Sequence, residues 1–282
     1  MLSLLRNRIA SCRARAAVLG FLAWTVTGVA FAGDAPAPAS IAECKNTLGK
    51  DAVCRCQIEL LHPTQISVGM IQVTKKAAKL TKKSDKKLEA YLEREENRVP
   101  VVMGPDWVIE AKGQTSVTKG FLYMVDHHHL SRALIDIGKT EAYCQIKEIT
   151  RRGQSVDAFW TGMIASKQAW PRDENGVERP PQAIPSSVDG LKDDPYRSLG
   201  GAVVKACGFK DRDREPEYFL EFKWANYLRT TGITLVPDGS NFPSALDKAK
   251  ELAKSADTAE LRGNVQCEDK SKANAEENDG DD

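Results

Sequence analysis

The sequence predicts an α+β protein, and three observations carry that expectation. Short apolar runs of strand length, such as Arg98 to Met103 and Gly120 to Val125, cluster in the first half. Longer segments with apolar residues at helical spacing dominate the second half. A chain of 282 residues, 41% apolar and 28% charged, has enough apolar side chain for a real core.

The elements follow in chain order. Arg6, Arg8, Arg13 and Arg15 precede a charge-free run from Ala16 to Ala32 that ends in Ala30-Phe31-Ala32. A basic start, an apolar middle and a small-residue exit predict a secretory signal peptide over residues 1–32; an uncleaved membrane anchor is the second reading. No later stretch is long and apolar enough to span a bilayer. Cleavage leaves 36 basic against 39 acidic residues, a net charge of −3. That balance excludes the strongly basic field of a typical DNA-binding domain. It also leaves six cysteines, Cys44, Cys54, Cys56, Cys144, Cys207 and Cys267. An even count in an exported chain points to disulfides, with the pairing open. The expected location is periplasmic or extracellular.

Residues 33–57 read as a spacer and a small cysteine-bearing segment, and 58–150 as the main α+β domain. His62-Pro63 favours extended backbone. Thr74 to Glu96 is helical in composition, with Val73, Ala77 and Leu80 on one face and Ser84 placed to cap a second helix at Asp85. Seven lysines between 75 and 87 then line the opposite face, either as a solvated surface or as a track for phosphates. Strands are expected at 98–103, 107–110, 120–125 and 143–149, with a polar loop at 113–120. A short helix over 130–137 ends at Gly138. Residues 151–265 form a helical extension, with helices at 155–170, 218–229 and 245–261. The Pro/Gly/Asp-rich stretch 171–198 reads as a long loop. Trp224 on its amphipathic helix is expected in the core. The acidic tail, 266–282, is expected to be disordered.

The stretch Tyr123-Met-Val-Asp-His-His-His-Leu130 places three of the four histidines together. A strand running into a helix there makes Asp126 the N-cap, and the helix's free amides an anion-accepting corner. Histidines in such a corner can donate to phosphate or move protons near neutral pH. Helix and strand geometry both argue against all three meeting one ion, while two of them could converge. A divalent metal would draw on Asp126, His127 and His129, with another ligand from elsewhere. Asp193-Asp194-Pro195-Tyr196-Arg197 is either a loop anchor or a source of a cation, Arg197, and of a metal ligand or base, Asp193 or Asp194.

"VPVVM", "GFLYMVDHHHLSRALIDIG", "LHPTQISVGMIQV", "DAFWTGM", "DDPYRSLGGAV" and "YFLEFKWANYLR" together resemble the ParB-like nuclease family, in its exported branch. That family is related to the ParB/sulfiredoxin superfamily, and the match spans roughly Ile58 to Ile233. The resemblance implies a small, curved mixed sheet with flanking helices and a phosphate- or nucleotide-handling pocket at the strand-to-helix junction. The superfamily usually has a glycine where this chain has His127, and an arginine soon after; here the nearest is Arg132. No cysteine lies between Gln57 and Tyr143, which excludes cysteine-based reductase chemistry. The expected function is an exported nuclease or phosphodiester/nucleotide hydrolase. His128, His129, Asp126 and Arg132 are the catalytic candidates, and His127, Arg197 and Lys112 the substrate-binding ones. Its partner would be a phosphate-containing small molecule or extracellular nucleic acid. The alternatives are an inactive module that binds an anion, nucleotide or metal, and a structural envelope protein.

Overall fold

Strand alternation explains the layers. In β4 (Val99–Met103) and β5 (Leu122–Met124), Val101, Met103, Leu122 and Met124 point to one core, whereas Val102 and Tyr123 point to another. Successive side chains on a strand leave from opposite faces, so a sheet covered on both sides reads as a continuous apolar run. The first face packs on α1 (Met70–Thr81), α2 (Asp85–Glu93) and α3 (His128–Asp136) through Val73, Leu80, Leu88, Leu92, Leu130 and Leu134. The second packs on α4 (Val156–Ala165) through Phe159, Trp160 and Met163.

The computed structural model describes residues 43–44, 48–105, 122–150, 154–207, 209, 219–236, 239–258, 261, 263 and 267, all within one compact unit, Ile41–Asp282. β1 (Val53–Gln57), β2 (Leu61–Pro63) and β6 (Glu141–Ile149) complete a five-stranded mixed sheet of order β1-β6-β4-β5-β2. β1–β6 and β4–β5 are antiparallel, and β6–β4 and β5–β2 parallel, with an irregularity at Val101/Val102. β3 (Ser67–Val68) and β7 (Lys192–Asp193) form a separate parallel pair. The second half adds α5 (Pro195–Ala206), α6 (Leu220–Thr230) and α7 (Phe242–Ser255), which share a core around the fully buried Trp224.

The expected α+β class and small mixed sheet are present. Ser84 caps α2 by accepting from the Lys87 amide, and Gly138, at φ 74°, turns the chain after α3. All six cysteines are paired, as Cys44–Cys54, Cys56–Cys144 and Cys207–Cys267. No helix among the described residues is long and apolar enough to cross a membrane.

Several boundaries differ. α1 begins at Met70, four residues earlier than expected, because the Met70 amide donates to Asp193 Oδ1 at 2.9 Å from a distant segment. The helix expected to reach Trp170 stops at Ala165; Trp170 instead donates its amide to Thr64 O at 2.8 Å. The expected long loop contains β7 and the first turn of α5. The proposed signal peptide, the strand at 107–110, the loop at 113–120, Lys112 and, apart from Cys267, the acidic tail lie outside the described residues.

A candidate site at the β5–α3 corner

The corner is built by an unusual backbone at His127. Its φ of 66° and ψ of 22° are left-handed, a conformation in which a Cβ is strained and glycine is not. That is the position where the resemblance implies a glycine, and this chain holds the left-handed backbone there with a histidine. The turn corrects one expectation. Asp126 is not the N-cap of α3: that place falls to His127, and no side chain caps the helix. Asp126 Oδ1 accepts from the amide of His127, its immediate neighbour, at 2.6 Å. With the chain turning left at His127, the exposed carboxylate stops one residue short of the helix amides it was expected to cap.

The three histidines then take different directions. His128 is 3% exposed, and its Nε2 accepts from the Thr64 amide at 3.2 Å. His129 Nε2 accepts from the Gly69 amide, also at 3.2 Å. An imidazole nitrogen that accepts from an amide carries no proton, so both rings are neutral with their hydrogen on Nδ1. The two side chains therefore latch α3 to the ends of β2 and α1. Gly69 tolerates this crowding because it has no side chain: a Cβ there would lie 2.8 Å from Ser198 N and 2.9 Å from Ser198 Cα on α5. His127 makes no hydrogen bond from its ring to any described residue.

The electrostatics agree with the latch. Burial is the largest influence on all three, and it pushes each below the ordinary histidine value, His128 to about 3. Arg197 pushes His128 and His129 further down, and Lys76 does the same to His127 and His129. Asp126 opposes this at His127 and His128, and Glu221 at His129. The corner thus gathers two cations, two carboxylates and three neutral imidazoles from α1, α3, α5 and α6.

Arg197 is 6% exposed, and its charge is held by Glu221, by Gln72 Oε1 at 3.4 Å and by the face of Phe222 at 4.6 Å. Its Nε has no partner among the described residues. Arg132, expected beside the histidines, points elsewhere: it bonds Asp136 Oδ1 at 3.1 Å on its own helix and Asp189 O at 3.0 Å. Position i+4 after His128 placed it on α3, but the acidic residue one turn further on captures it. Lys76, Gln72 and Glu221 were not singled out from sequence. Lys76 was hidden within a lysine-rich surface, and Glu221 within an amphipathic helix.

The Asp193–Arg197 block is mainly structural. Asp193 caps α1, Asp194 caps α5 by accepting from the Arg197 amide at 3.0 Å, and Asp194 also pairs with Arg229. Tyr196 donates to Ile233 O at 2.6 Å. Burial holds the Asp194 carboxyl above its usual range, against the pull of Arg229.

The described donors at this corner do not gather as a metal-ligand set. Among the described residues, the one group of three or more His, Cys, Asp or Glu ligand atoms close enough for an ion is Cys44, Cys56 and Cys144, which are in disulfides. Asp126, His127 and His129 do not converge in this way, and His129 Nε2 is already occupied by Gly69.

Comparison with known proteins adds context to this corner. Residues 54–230 match the family described as "Putative ParB-like nuclease". The fold is similar to that in the crystal structure of protein Atu1540 from Agrobacterium tumefaciens, with a TM-score of 0.59 and 30% sequence identity. The similarity covers 75% of this chain and 96% of the other. No curated protein matches in sequence.

Proposed function

The chain belongs to the ParB-like nuclease family, and from that premise we propose that it is an exported phosphodiester or nucleotide hydrolase whose site is the β5–α3 corner. The observation that carries this reading is the pair of cations, Lys76 and Arg197, acting on neutral histidines at the uncapped start of a helix. Positive side chains and helix-start amides together favour a phosphate. Lys76 and Arg197 would attract the substrate anion. His127, whose ring is not committed to a backbone amide, would move the proton, and Asp126 beside it would favour the protonated ring. His128 and His129 would hold the corner in shape. The three disulfides support an oxidising, exported setting.

A binding module without turnover is the second reading. It is favoured by one observation: the acceptor nitrogens of His128 and His129, the obvious general bases, are already occupied by amides. For a nucleic-acid substrate, the exposed Lys75 and Lys79 on α1 and Lys82 just after it would follow its backbone, and binding would weaken steeply with salt.

Release of nitrophenol from bis(p-nitrophenyl) phosphate, with and without added divalent ions, separates the readings. Hydrolysis that falls at least tenfold in His127→Asn and in Lys76→Gln, both still folded, supports the enzyme. An inert wild type whose melting temperature rises with inorganic phosphate or nucleotide supports the binding module. Turnover that is unchanged in both variants would remove the corner from the reaction.

A further inference from the structure

The edge of the sheet holds two disulfides packed against each other. Cys54 and Cys56 lie on β1, and Cys144 on β6 directly opposite Cys54. Cys44 is held outside β1 by its amide, which donates to Arg55 O at 2.9 Å. Cys54 nevertheless bonds Cys44, 10 residues away, and Cys144 bonds Cys56, 88 residues away. The sulfurs of Cys44, Cys56 and Cys144 all lie within 4.8 Å of one another, and all four cysteines are buried. A staple needs no such neighbour. Two sulfur–sulfur bonds at this separation are within reach of thiol–disulfide exchange, which proceeds by attack of a thiolate on a disulfide sulfur.

We propose that these four cysteines form one exchange unit, in which reduction of Cys44–Cys54 by an external dithiol is passed inward to Cys56–Cys144. The chemistry balances. The external dithiol gives two electrons and two protons to Cys44–Cys54 and closes to its own disulfide. The Cys44 thiolate then attacks a sulfur of Cys56–Cys144, forming a bond from Cys44 to that cysteine and releasing the other as a thiolate. Cys54 attacks Cys44 in turn, restores Cys44–Cys54 and leaves Cys56 and Cys144 as the dithiol. The outer pair is the entry point because Cys44 lies beyond the edge strand and, at 4%, is the most exposed of the four. The inner pair is the receiver, and its bond closes the longer loop, tying β1 to β6.

Removing the resolving thiol tests this. In Cys54→Ser, Cys44 has no native partner, and after it attacks only the thiolate it released, not residue 54, can displace it. Acid quenching, alkylation and peptide mapping without reduction should find Cys44 bonded to Cys56 or Cys144 in most molecules. A Cys44 that remains a free thiol beside an intact Cys56–Cys144 bond would overturn the proposal. Should that variant not fold, the wild type with one equivalent of dithiothreitol gives the same reading. Alkylation spread over both pairs is expected, with the inner bond about tenfold slower to open in Cys44→Ser/Cys54→Ser. Label confined to Cys44 and Cys54, or an inner bond that opens equally fast in the double variant, would refute it.

Discussion

Acid should loosen this protein through its histidines, and His128 gives the magnitude. Its ring is neutral in the fold, with Nε2 accepting from Thr64 and with burial as the main reason for its low affinity for protons. The folded value of about 3 lies below the unfolded value of 6.5. The stability this difference provides is therefore fully present above pH 6.5 and is lost as pH falls toward 3. At pH 5 the unfolded chain has taken up a proton that the fold still refuses, a loss of about 2 kcal/mol from this one residue. Complete protonation would cost about 5 kcal/mol, the free-energy equivalent of the gap between the folded and unfolded values. His62, His127 and His129 are displaced in the same direction, each mainly by burial, and add to the loss. Urea midpoints by circular dichroism at pH 7.5 and pH 5 measure it. His128→Gln keeps an acceptor for the Thr64 amide but cannot take up a proton. It should start less stable at pH 7.5 and lose about 2 kcal/mol less than wild type on going to pH 5. Equal losses in the two proteins would show that His128 is charged or exposed in the fold, and the latch would be wrong.

Three further outcomes test the corner and its supports. His127→Gly should raise stability by about 1 kcal/mol in a urea titration, because glycine adopts the left-handed backbone without strain; the same change should lower hydrolysis if His127 moves the proton. Arg197→Met should destabilise by about 3–5 kcal/mol, since it breaks the Arg197–Glu221 ion pair, and Arg197→Met/Glu221→Met should recover much of that loss in thermal melting. Asp194→Asn keeps a cap on α5 but leaves the Arg229 charge unbalanced, and a loss of about 3 kcal/mol is expected from chemical denaturation.

Local pattern was enough wherever a residue acts on its own neighbours. Ser84 ahead of Asp85 announces α2, and Gly138 announces the end of α3. The apolar stripe through Val73 and Leu80 gives the buried face of α1. Local pattern failed where distant segments decide. The start of α1 depends on Asp193, which lies 123 residues away. Arg132 could be placed on the right helix, but its second partner, the carbonyl of Asp189, lies 57 residues away.

The α+β class, the family and the histidine segment at the β5–α3 corner were all legible in the chain, because motif, periodicity and cap chemistry are written in neighbouring residues. What each histidine does was not. His128 and His129 became latches because Thr64 and Gly69 present backbone amides to them, and Lys76 and Arg197 became their electrostatic neighbours because α1 and α5 pack together where Gly69 meets Ser198. A side chain's role depends on the groups opposite it, and here packing brings those groups from 51 residues away or more.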